Sequence, residues 1–157
     1  MRLFGTLFNI NKTPISTIPA SSFTSTTVDT TSTGAMTAIT GLAGLSFPET
    51  PDGSKIFTVY GNIVLSAVTN NQDATIKLHL GQAGTTADTV VWSALQRVTT
   101  TASDNRIVGF CGFRVTPVAG DKLTVSITGS AATLTAESSA GASTAFSFIE
   151  IKRIYTS

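Results

Sequence analysis

Residues 105–127, NRIVGFCGFRVTPVAGDKLTVSI, and residues 145–155, AFSFIEIKRIY, decide how this chain is read. The first stretch splits into two strands around a turn from Pro117 to Asp121. In its second strand Leu123, Val125 and Ile127 alternate with Thr124, Ser126 and Thr128, the period-2 pattern of a half-buried strand. The terminal stretch differs. Phe146 and Phe148 share one parity while Ile149 and Ile151 take the other, so both faces are apolar or a bulge switches the facing. A final strand apolar on both faces belongs in the middle of something, which makes an all-β sandwich built around it the expected fold.

Composition points the same way. Only 12% of the 157 residues are charged, about half the usual share of roughly 25%. Thr and Ser together fill 45 positions, 28 and 17 respectively. Threonine favours strands, and the Glu and Lys that coat helices are scarce. The length is that of one domain with a real core.

The net charge of +1 comes from scattered groups. A nucleic-acid partner would need a basic stripe, and none is present; Lys152-Arg153 reads as a solvated strand edge. The lone Cys111 has no internal disulfide partner and reads as a buried thiol between Phe110 and Phe113. Gly5, Thr6, Asn9 and Asn11 break up the first apolar residues, so no signal-peptide core is expected, and no run reaches the ~18 apolar residues of a membrane span. Synthesis in a host cytoplasm without membrane insertion follows as the expectation.

Residues 1–33 form the first organisational unit. They open with Leu3, Phe4, Leu7, Phe8 and Ile10, pass Pro14 and Pro19, and run into a Ser/Thr tract. An extended arm is expected, ordered only where its own sandwich or a neighbouring subunit holds it. Residues 34–157 are the sandwich. Ala35–Phe47 gives a short strand, and Pro48, Pro51 and Asp52-Gly53 a turn. Lys55–Val68 is the longest strand, with Phe57, Val59, Ile63, Leu65 and Ala67 on one parity and Gly61 at a bend or bulge. Ala74–Gly81 points Ile76, Leu78 and Leu80 inward and Thr75, Lys77 and His79 outward. Thr89–Thr101 supplies one or two strands, and Thr133–Glu137 a short one. Asp52, Asp73, Asp88, Asp104 and Asp121 all fall at expected turns, as turn formers. The tally is about eight to ten antiparallel strands.

Catalytic and metal chemistry finds no constellation. The single histidine, His79, lacks a matched nucleophile and carboxylate, and no cluster has metal-ligand spacing. Glu49, Glu137 and Glu150 lie apart, and Gly109 and Gly112 read as packing or bulge positions. Neither an enzyme nor a cofactor is expected. Trp92 and Tyr60 are the candidate platform for a sugar, because aromatic faces stack on pyranose rings.

In order, IFTVYGNIVLSAV (56–68), ATIKLHL (74–80), GFRVTPVAGDKLTVSI (112–127) and AFSFIEIKRI (145–154) resemble the trimeric jelly-roll superfamily. That group includes tumour-necrosis-factor-like and complement-type heads and many phage fibre and head-decoration domains. AGDKLTV, at 119–125, carries the resemblance most specifically. It implies an antiparallel jelly-roll sandwich whose last strand lies near a threefold axis, so that a homotrimer would bury Phe146, Phe148, Ile149 and Ile151 with Phe110 and Phe113 behind them. The function it implies is that of a bacteriophage virion structural protein, decorating a capsid or forming part of a fibre or spike. Phe4, Leu7, Phe8 and Ile10 on the arm would contact the major capsid protein or another virion component. The alternative is a carbohydrate- or receptor-binding module at a fibre tip, with Trp92 or Tyr60 beside the loops at Gly81–Asp88 or Ser138–Ser143.

Overall fold

A computed structural model describes residues 15–18, 26–29, 36–39, 41–67, 72–98, 106–129, 133–137 and 148–154. Every regular element among them is a strand: β1 (Ile15–Ile18), β2 (Thr26–Asp29), β3 (Thr37–Ala38), β4 (Ile56–Ala67), β5 (Gln72–Gly81), β6 (Thr89–Val98), β7 (Arg106–Val115), β8 (Lys122–Gly129), β9 (Thr133–Glu137) and β10 (Phe148–Ile154). Ten antiparallel strands make a six-stranded and a four-stranded sheet. Two segments of the 1–33 stretch, β1 and β2, are edge strands of the larger sheet. They pair with β10 and β9.

The centre of the molecule is β4, not the last strand. β7 runs along one edge of β4 from Val115 opposite Phe57 to Arg106 opposite Leu65. The other edge is shared end to end: β10 covers Ile56–Asn62 and β9 covers Val64–Ala67. Alternation does the rest. Phe57, Val59, Ile63 and Leu65 point inward and are fully buried. On the opposite face Val64 is fully buried as well, although it lies outside the core cluster. Double-sided burial, expected for the terminal strand, therefore belongs here.

The smaller sheet has the order β3-β8-β5-β6. Ile76 and Leu78 on β5 and Leu123, Val125 and Ile127 on β8 face β4 across the sandwich, and all five are fully buried. Beside β8, the described residues of the Ala35–Phe47 region form a strand only at Thr37–Ala38. Further along, Ile39 donates to the Val125 carbonyl and Leu45 exchanges hydrogen bonds with Leu123, so the segment still follows the β8 edge. Phe47 closes the core against Phe57, with ring centroids 4.8 Å apart.

Both long edge strands carry an extra residue. On β7, Cys111 and Gly112 together oppose Tyr60, because Val59 pairs with Phe113 and Gly61 with Phe110. Gly112 takes a φ of +62°, a conformation that costs a side-chain-bearing residue about 1–2 kcal/mol, and a Cβ there would lie 3.5 Å from the Tyr60 ring. On β6 the extra residue is Val91, between Trp92 opposite Leu78 and Val90 opposite His79.

Phe57 touches both halves of this architecture, so Phe57→Ala should lower unfolding free energy by about 3–5 kcal/mol in urea denaturation. A loss below about 1 kcal/mol would show that the sandwich does not depend on this closure.

Candidate functional site

The described loops gather at one end of the sandwich: residues 41–55, 82–88 and 116–121. Each of the last two, and the turn at Asp52, is built by one aspartate. Asp52 Oδ1 accepts from the Ser54 and Lys55 amides at 2.9 and 3.0 Å and from the Ser54 hydroxyl at 2.8 Å. These bonds, led by the Ser54 amide, hold the Asp52 carboxyl down at about 2. Asp88 accepts from the Ala83, Gly84 and Thr85 amides at 2.7–3.2 Å. Asp121 accepts from the Val118 amide at 2.9 Å. The turn-forming roles expected for these three residues are what the structure shows. Asp73 differs: it sits in β5 opposite Arg97, whose guanidinium lies 3.5 Å away. Asp104 falls outside the described residues.

Glu49 joins this end to the chain's last strand. Its Oε2 lies 3.8 Å from Lys55 Nζ and 3.7 Å from Arg153 Nε. Arg153 is largely buried, donates through Nη1 to the Ile56 and Ile154 carbonyls at 2.9 and 2.7 Å, and stands 5.6 Å from the Phe57 ring centroid. Between residues 46–51 and Gly120–Lys122 lies a pocket of about 240 Å³ lined by Phe47, Glu49, Pro51, Asp121 and Lys122, among others.

His79 corrects the sequence reading. It was expected on an exposed face, but it is 2% exposed and sits among Thr124 and Ser126, both fully buried. Nδ1 is 3.2 Å from the Asp88 carbonyl and Nε2 is 2.6 Å from Ser126 Oγ. A carbonyl only accepts, so Nδ1 carries a proton toward Asp88, and Nε2 shares a hydrogen bond with the Ser126 hydroxyl. The contact resembles half of a catalytic pair, yet Ser126 has no exposed surface for a substrate. Its consequence is mechanical: the ring ties the 82–88 loop to β8. Gly44 adds a second tie by donating to Thr124 Oγ1 at 3.0 Å. No sequence pattern marks this pair, since the residues are 47 positions apart and a Thr/Ser face looks solvated when read alone.

The other expected site residues separate. Ile149 and Ile151 are fully buried in the subunit's own core, so a neighbour has no surface of theirs left to cover. Their assignment to a subunit interface is corrected on that ground. The opposite face of β10 presents Glu150 and Lys152, paired at 2.8 Å. That hydrogen bond raises the Lys152 ammonium above its ordinary 10.5, and the same ammonium sits 5.3 Å from the Tyr60 centroid. Tyr60 lies on the larger sheet, whereas Trp92 lies on β6 of the smaller one and packs half-buried against the core. They do not form one platform. Phe113 also packs half-buried against the core. Phe110 and Phe148 occupy register positions on β7 and β10. Phe4, Leu7, Phe8, Ile10 and Phe146 lie outside the described residues.

No group of three or more His, Cys, Asp or Glu side chains among the described residues could hold a metal ion. No described helix is long and apolar enough to cross a membrane.

Two measurements test this end of the molecule. Ser126→Ala strands a buried imidazole nitrogen and should cost about 1–3 kcal/mol in denaturant melts; an unchanged melt would remove the clamp. Asp52 has a lowered carboxyl, so its stabilising contribution is complete above the ordinary value of 3.8 and lost as pH falls through about 2. The stability difference between the native chain and Asp52→Asn should therefore shrink across that window, and a difference flat over the same range would contradict the turn's electrostatics.

No family model matches the sequence, and no curated protein sequence matches it. Solved structures do. The chain superposes on the infectious bursal virus derived T=1 particles with a TM-score of 0.51 at 10% identity, covering 91% of this chain and 36% of that one. For the infectious bursal disease virus VP2 subviral particle the TM-score is 0.49 at 10% identity, covering 90% and 33%. For Eiger TNF from S. frugiperda it is 0.45 at 14% identity, covering 86% and 94%. The chain thus spans about a third of the length of the viral particle chains it matches. The superposition on the T=1 particles, together with the sheet order, shows the fold: an all-β, antiparallel jelly-roll sandwich.

Proposed function

We propose that this chain is a virion structural protein: a jelly-roll subunit that assembles as a homotrimer and decorates a bacteriophage capsid or forms part of a fibre or spike. The observation that carries the reading is the jelly-roll fold matched over 91% of the chain by a virus-derived particle subunit. A surface rich in hydroxyls and poor in charge, and carboxylates committed to holding turns, support a structural role over a catalytic one. In this reading the protein resides in the virion, and its partners are other copies of itself and a capsid protein. Residues 1–33 provide the attachment, with Phe4, Leu7, Phe8 and Ile10 as apolar anchors.

Self-association draws its support from the side where β6 and β7 face each other across the two sheets. Val91, Trp92, Ala94 and Phe113 belong to the core's margin there and stay only half-buried, and Leu95, on the outer face of β6, is 69% exposed. Apolar surface of this kind marks contacts between subunits. Phe113, and with it Phe110 on the same strand, remains in the proposed interface; Phe146 and Phe148 are kept with them.

Native mass measurement of the full chain should give three chain masses, and Leu95→Asp, at a position open enough to leave the fold intact, should shift the population toward monomer. A monomer at every concentration overturns the trimer. Replacing Phe4, Leu7, Phe8 and Ile10 with serine in the full chain should abolish co-sedimentation with particles lacking the protein; attachment at full occupancy overturns the anchoring role.

A further inference from the structure

We draw no further inference here: the strongest candidate, the outer face of the smaller sheet where β6 leaves Val90 44% and Leu95 69% exposed, is an unpartnered apolar patch, and nothing in the structure shows what covers it.

Discussion

Satisfying both edges of β4 is the constraint on which the structure depends. A buried strand must find a partner for every amide and carbonyl, because an unpaired group away from water costs about as much as a lost hydrogen bond. β4 has twelve residues and is fully buried at Phe57, Val59, Ile63, Val64 and Leu65. One edge takes a single long strand, β7. No single strand fills the other, and β10 and β9 divide it near Asn62 and Val64. The outer layer repeats the division, with β1 on β10 and β2 on β9. β1 and β2 from the first part of the chain and β9 and β10 from the last therefore close one sheet together.

Local alternation made much of this legible. Lys55–Val68 showed five apolar residues on one parity, and four of them, Phe57, Val59, Ile63 and Leu65, are the buried wall of β4. Leu123, Val125 and Ile127 behaved likewise, and the Gly120-Asp121 turn is where its chemistry placed it. Alternation reports which residues share a face and is silent on what covers it. Hence the terminal strand, apolar on both parities in sequence, was assigned an interface, although Ile149 and Ile151 fill the subunit's own core. For the same reason the Thr/Ser face of the smaller sheet was read as solvated. Hydroxyls lie inside at low cost when each finds a partner, as Ser126 does with His79 and Thr124 with Gly44.

The candidate site was less legible because it is assembled from loops far apart in sequence. Phe47, Glu49 and Asp121 come from two connections, and what aligns them is the register between sheets. Glu49 had no suggestive sequence context. Its position comes from Arg153, more than a hundred residues later, whose guanidinium is spread over Glu49, two carbonyls and the Phe57 ring. A buried guanidinium with several acceptors fixes geometry more than it adds stability. Here it fixes one pocket wall to the same phenylalanine that packs against Phe47.

The bulges bear on how copies of such a subunit meet. An unbroken edge strand is a template for adding further strands, and a sheet that grows by edge pairing has no natural stopping point. β6 and β7 are ten residues each and would be such templates. Each instead carries its irregularity on the edge strand itself, at Val91 and at Cys111-Gly112, which breaks the even ladder that a new strand would need. In the proposed assembly, the contact left to this side of the molecule is made by side chains, the half-buried Trp92 and Phe113 and the exposed Leu95 on the outer face of β6. Side-chain contacts depend on the angle between subunits and can close after a fixed number of copies, as an assembly of defined size requires.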